Sequence, residues 1–116
     1  MRTTHVSKSD RRDKSHSDRR MREKEIEQKL VSAVKAQGGI CPKLVCPAYA
    51  GMPDRMVMMP GGRVGFVEVK APGKPPRPLQ TARHALLRRL GFQVHVLDDP
   101  AAIPMILNAI EGGDAR

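Results

Sequence analysis

The stretch from Gly51 to Lys70 constrains the fold more than any other part of the chain. Two short apolar segments, Met56 to Met59 and Val64 to Val69, flank the triplet Pro60-Gly61-Gly62. Glycines adopt the positive φ angles that a tight reversal requires, and short apolar segments on both sides of such a turn are typical of a β-hairpin. We therefore predict two antiparallel strands here.

Alternation along the second strand places an acid and a base on one face of the sheet. Glu68 and Lys70 share a face with Phe66, while Val67 and Val69 point to the opposite face. An acidic and a basic group therefore project together from the end of this strand.

The register of the turn decides whether Asp54 faces Glu68. A three-residue loop, 60–62, sets Asp54 opposite Glu68, whereas a two-residue loop sets Asp54 opposite Val69, on the wrong face. Pro60 fits within the loop because it has no N–H to donate to the ladder. We expect the three-residue loop, or a bulge with the same effect.

Two facing carboxylates with an ammonium group beside them form a recognisable site for a hard divalent cation, in which the carboxylates are the ligands. Mg²⁺ prefers oxygen ligands and commonly uses one or two carboxylates. Such an ion polarises a phosphodiester and activates water, while a nearby lysine stabilises the negative charge that develops. Asp54, Glu68 and Lys70 therefore favour phosphodiester hydrolysis with Mg²⁺ or Mn²⁺ as cofactor.

The same residues carry a family resemblance. Pro53-Asp54, followed after thirteen residues by Glu68-Val69-Lys70, resembles the PD-(D/E)XK nuclease signature, and Gly51-Met52-Pro53-Asp54-Arg55 with Gln80 downstream resembles its VRR-NUC branch, in the small stand-alone type found in phages and bacteria. The resemblance spans 21–97. It implies a restriction-endonuclease-like core, a mixed α/β fold of order αβββαβα with a central mixed sheet flanked by helices, and nuclease activity on DNA.

The first helix is expected to supply a further acid, as the resemblance implies. From Met21 to Gln37 apolar residues recur with helical spacing, and Gly38-Gly39 marks the end. At about 100° per residue, Glu23 falls near the centre of the apolar stripe and Glu27 at its edge. We select Glu23 and keep Glu27 as the alternative, although both acids also suit the N-terminal half of a helix through its dipole.

The predicted site joins these acids to a lysine, a glutamine and nearby cations. Lys70 is expected to orient water and stabilise charge, and the resemblance implies that Gln80 positions substrate or water. His84, one turn beyond Gln80, is an accessory contact at most. The predicted metal-binding residues are Asp54, Glu68, Val69 and Glu23, and the predicted nucleic-acid contacts are Lys43, Arg55, Lys74, Arg77 and Arg83.

Composition favours a nucleic-acid partner. Twenty-one Lys and Arg against twelve Asp and Glu give a net charge of +9 over 116 residues, which attracts phosphate groups. Cys41 and Cys46 lack the spacing and the further ligands of a zinc site. No apolar run approaches the length of a membrane span or of a signal peptide, so we expect a cytoplasmic protein of a bacterium or of a phage-infected host.

The remaining segments predict a single domain with flexible ends. Residues 1–20 are polar and basic and are expected to form a disordered tail, residues 21–111 the nuclease domain, and residues 112–116 a frayed terminus. The other predicted elements are a first strand at Ile40–Val45, a helix at Leu79–Leu90, a last strand at Gln93–Leu97 and a final helix after Asp98-Asp99-Pro100.

The sequence leaves two other functions open. A catalytically inert nucleic-acid-binding module of the same fold would keep the basic surface, although the intact set of two acids and a lysine argues against it. A small basic structural protein of the nucleoid or ribosome would need no inward-facing acids.

For an enzyme, a homodimer would help, because two sites and two basic faces would grip a branched junction or cut both strands.

Overall fold

The structure is a computed structural model that describes residues 22–112, so the predicted tail and the end of the chain at 113–116 lie outside the described residues. No helix in the described part is long and apolar enough to span a membrane. The elements are α1 (22–36), β1 (Arg55–Met59), β2 (Arg63–Val69), α2 (Pro78–Arg89), β3 (Gln93–Leu97), a 3₁₀ turn (Pro100–Ala102) and α3 (Ile103–Gly112). The predicted mixed α/β class is confirmed.

The sheet has the order β1-β2-β3, with β1 antiparallel and β3 parallel to β2. Met59 pairs with Arg63, so the hairpin has the predicted three-residue loop. Gly61 and Gly62 close it with φ angles of 85° and 77°, which L side chains rarely adopt. The predicted register of the hairpin is confirmed.

The segment 40–45, predicted as the first strand, is not a regular strand. It runs antiparallel beside β1, and in the described part of the chain it forms two isolated bridges rather than a ladder. Pro42 lies between those bridges and accepts a hydrogen bond from the Met56 N–H, but it has no N–H to return. The observed sheet therefore has three strands, and the bridged pairs are Ile40 with Met58 and Lys43 with Arg55.

The sheet separates two apolar clusters. The larger one joins α1 and α3 to one face of the sheet, and the smaller one lies on the opposite face, against α2. The buried residues of the larger cluster include Ile26, Leu30 and Val34 of α1, Val57, Val67 and Val69 of the hairpin, and Ile103, Ile106, Leu107 and Ile110 from the end of the chain; the smaller cluster is Phe66, Leu87 and Val94. The predicted apolar stripe of α1 and the predicted faces of β2 are confirmed.

Helix α3 approaches β2 closely at Gly65. A Cβ atom at Gly65 would lie 2.6 Å from both Cδ1 and Cγ1 of Ile110, well inside van der Waals contact. The missing side chain lets Ile110, which is 1% exposed, fill the core directly against the strand.

Gly65→Ala should lower the free energy of unfolding by about 1–3 kcal/mol, the usual cost of overpacking a core. Ile110→Ala should also destabilise the protein, through the cavity that it leaves. The double variant should lose less than the sum of the two, because the carbons that clash are gone. Urea denaturation measures all three losses, and strictly additive values would contradict the proposed clash.

Candidate active site

The site lies at the end of the hairpin, on the face of the sheet that packs against α2. Glu68 is 1% exposed near the end of β2. Asp54 directly precedes β1, and the pairing of Arg55 with Val67 carries Asp54 to the level of Glu68. Asp54 Oδ2 accepts a hydrogen bond of 2.9 Å from the Val69 N–H. The main chain of β2 therefore orients the first acid beside the second.

The loop that leads into Asp54 is held against α2 by Arg83. Its Nε donates to the Ala50 carbonyl at 2.8 Å, and its guanidinium lies 3.9 Å from the centre of the Tyr49 ring. Gly51 allows this approach, since its φ is 90° and a Cβ there would lie 2.9 Å from Arg83 Cγ. Within the protein its guanidinium holds this loop, and the predicted role of Arg83 as a nucleic-acid contact stays a prediction.

The two oxygens of Glu68 have different surroundings. Oε2 accepts a hydrogen bond of 2.8 Å from Gln80 Nε2 and lies 3.3 Å from Lys70 Nζ. Oε1 is buried and has no hydrogen-bond partner among the described residues. A buried carboxylate oxygen without a donor is costly, so this atom marks a position that a ligand would stabilise.

The surroundings of Glu68 favour its protonated form in the absence of a cation. Burial raises the pKa of the Glu68 carboxyl above its ordinary value near 4.5, the nearby Asp54 carboxylate raises it further, and Lys70 opposes both. Burial also lowers the pKa of His84, and the positive charges of Arg88 and Lys70 act in the same direction. Burial and the nearby cations therefore favour the neutral form of the imidazole beside Glu68.

Gln80 connects the beginning of α2 to the acid. The side chain is 7% exposed, its Oε1 accepts from the Arg77 N–H at 2.8 Å, and its Nε2 donates to Glu68. Both ends of the amide are engaged within the protein. The structure shows that its amide holds the carboxylate of Glu68, and the role in positioning substrate or water that the resemblance implies stays a prediction.

Arg55 joins three parts of the chain. Its Nε and Nη2 contact Glu27 Oε2 at 3.0 and 2.9 Å, and its Nη1 donates to the Cys41 carbonyl at 2.8 Å. These contacts connect α1 and the segment 40–45 to the start of β1, next to Asp54. Its guanidinium makes these contacts within the fold, and the predicted role of Arg55 as a nucleic-acid contact stays a prediction.

The structure does not bring Glu23 to the two acids. Within residues 22–112, no group of three acidic, histidine or cysteine side chains converges on a possible metal position. Helix α1 packs on the opposite face of the sheet from Glu68. No contact in the described part of the chain supports Glu23 as the third acid of the site, so this role stays a prediction. The side chain of Val69, also predicted to bind metal, is buried in the core, which leaves only its main chain near the site.

The other predicted nucleic-acid contacts lie at the surface. Lys43, Lys74 and Arg77 are exposed, and the last two lie in the loop that follows Lys70. Their positions leave them available to a phosphate backbone, and their role stays a prediction.

The donor set fits a hard divalent cation. Asp54 and Glu68 offer carboxylate oxygens. A bound cation would give the unpartnered Oε1 of Glu68 a partner. These two residues would hold it. When bound, a divalent cation supplies polarisation of the phosphodiester and activation of water.

Sequence reasoning undervalued His84, which is 2% exposed and whose Nε2 lies 3.9 Å from Glu68 Oε1. The available signal was its spacing of four residues from Gln80, which places both side chains on one face of the helix. The resemblance predicts Gln80 in the site, but the local pattern does not identify His84 as a neighbour of Glu68.

A mixed sheet with a PD acid and an ExK motif meeting at the end of a hairpin defines a PD-(D/E)XK nuclease core. No protein-family model matches the chain. A protein named "Putative nuclease p44", from Acyrthosiphon pisum secondary endosymbiont phage 1, is 52% identical over 80 residues, which cover 69% of this chain and 86% of that protein. A solved structure described as "VRR_NUC domain" matches with a TM-score of 0.70 and 27% identity, over 75% of this chain and 95% of the other. The chain belongs to the VRR-NUC family.

The raised pKa of Glu68 predicts a pH-dependent stability of the metal-free protein. The folded state binds this proton more tightly than the unfolded state, so the free energy of unfolding should fall as pH rises from about 4.5 through the raised pKa. In EDTA, Glu68→Gln should remove this decline and melt at a higher temperature than the wild type above that range.

Thermal unfolding from acidic to mildly alkaline pH measures the effect. The control is Glu111→Gln, on the exposed side of α3, which should keep the wild-type profile. A Glu68→Gln profile with the wild-type slope would show that this carboxyl does not carry the pH dependence.

Proposed function

We propose that this protein is a nuclease that hydrolyses phosphodiester bonds in DNA with Mg²⁺ or Mn²⁺. The observation that carries the proposal is the juxtaposition of three groups: Asp54 anchored to the main chain of β2, Glu68 with an unpartnered oxygen, and Lys70 Nζ at 3.3 Å from the same carboxylate. Membership of the VRR-NUC family supports nuclease activity.

Each of the three side chains has a role that follows from its position. Asp54 and Glu68 hold the cation. The side chain of Lys70 is 15% exposed, so its ammonium group is near solvent while it stays beside Glu68. It orients the attacking water and stabilises the negative charge that develops on the phosphate. Gln80 keeps Glu68 in place.

The substrate is DNA, and the proposal extends to structure-specific cleavage of junctions or branched DNA in the cytoplasm. The net charge of +9 supports binding to phosphate groups, and the exposed Lys43, Lys74 and Arg77 are the proposed contacts in the described part. A chain of this size carries one site and little surface, which favours action as a homodimer on a branched substrate.

Cleavage of plasmid and junction DNA tests the proposal. The wild type should cut with Mg²⁺ or Mn²⁺ and lose activity in EDTA, and Asp54→Asn should abolish cleavage. Lys70→Ala should lower turnover by roughly 10²- to 10³-fold, the usual effect of removing one preorganised electrostatic group. Calorimetry should show that the Lys70→Ala variant still binds the metal. Lys35→Ala, at an exposed position on α1, is the matched control and should cut normally.

The outcomes separate the competing functions. Full cleavage in EDTA would contradict the two-carboxylate site. A wild-type protein that binds DNA with normal salt dependence but never cuts it would be the inert binding module. Loss of metal binding in Lys70→Ala with cleavage retained would contradict the assigned roles.

Glu23 and Glu27 are separated by a comparison of stability with cleavage. Glu27→Gln breaks the contact with Arg55 and should lower the free energy of unfolding by about 1–2 kcal/mol, since a partly buried ion pair is lost. Glu23→Gln should leave stability unchanged and reduce cleavage if Glu23 is the third acid.

Exposed Glu25→Gln is the control for both measurements. Full activity in Glu23→Gln would leave Asp54 and Glu68 as the acids of the site. Unchanged stability in Glu27→Gln would contradict the structural role of its pair with Arg55.

A further inference from the structure

Two buried polar atoms face each other beside the site without a hydrogen bond. Glu68 Oε1 and His84 Nε2 are each inaccessible to solvent, have no partner among the described residues, and lie 3.9 Å apart. Most buried polar atoms in folded proteins are paired, so two unpaired atoms this close need an explanation.

We propose that His84 is a positioning residue for the metal-binding carboxylate: its imidazole carries the proton on Nε2, and this N–H donates a hydrogen bond to Glu68 Oε1. This inference rests on the proposed function. The separation of 3.9 Å is too long for a hydrogen bond, but a shift of about 1 Å closes it. The terminal torsion of a glutamate is broad, which makes such a shift inexpensive.

The position of His84 on α2 supports this role. Gln80, one turn earlier, already donates to Oε2, so a donor at His84 lets one helix face hold both oxygens of Glu68. Each carboxylate oxygen has two lone pairs, so Oε1 accepts from the imidazole and still binds a cation. Side chains that hydrogen-bond to metal-binding carboxylates are a general feature of metal sites.

The tautomer of His84 decides whether its Nε2 can donate to Glu68 Oε1. A neutral imidazole has one N–H, and only the Nε2–H tautomer gives Glu68 Oε1 a donor.

Metal binding measured by calorimetry, without substrate, tests the proposal. His84→Leu keeps a comparable apolar volume without a donor and should weaken Mn²⁺ affinity by roughly 10- to 100-fold, the usual effect of losing such a partner. His84→Gln places an amide N–H at a similar reach and should restore affinity to within about threefold of the wild type. His95→Leu, which removes the half-buried histidine of β3, should bind as the wild type does.

Nitrogen-proton correlation NMR of the wild type saturated with Mg²⁺, in which the cation keeps Glu68 ionised, tests the same idea without any substitution. It should show the Nε2–H tautomer of His84. An Nδ1–H tautomer would overturn the proposal, as would normal Mn²⁺ affinity in His84→Leu or equal losses in the Leu and Gln variants. If His84→Leu does not fold, the Gln variant and the tautomer decide.

These results are independent of the nuclease assay. A wild-type protein that never cuts DNA would overturn the proposed function, while the tautomer and the affinities still report whether His84 holds Glu68.

Discussion

The hydrogen bond from the Val69 N–H to Asp54 Oδ2 joins the two ends of the hairpin, and the site depends on it. It forms only in the register that the loop 60–62 sets. A slip of one residue would set Asp54 opposite Val69, on the face away from Glu68. The geometry of the acids is therefore determined at the opposite end of the strands, by a turn whose glycines take no part in the chemistry.

The surroundings of the Glu68 carboxylate favour the binding of a ligand. Gln80 and Lys70 hold one oxygen of Glu68, and the other is buried without a donor among the described residues. Burial and the neighbouring Asp54 make the charged form costly in the metal-free protein. Part of the folding stability is thus given up for a carboxylate that a cation would stabilise, a local conflict of the kind expected at functional sites.

The sequence predicts what depends on neighbours along the chain. Turn chemistry and alternation predict the hairpin register, and the helical period predicts the buried stripe of α1. The partners of Arg55 and Arg83 lie 28 and 33 residues away, so no local pattern identifies these contacts within the fold. The strand predicted at 40–45 is interrupted because Pro42 has no N–H for the ladder.

Arg55 and Arg83 make contacts within the fold, whereas Lys74 and Arg77, in the loop between Lys70 and α2, are exposed. The Arg77 N–H donates to Gln80 Oε1, and Gln80 Nε2 donates to Glu68. If Arg77 binds a phosphate as proposed, its main chain lies two hydrogen bonds from the carboxylate of Glu68. Substrate contact in this loop and the position of Glu68 are therefore coupled through one glutamine.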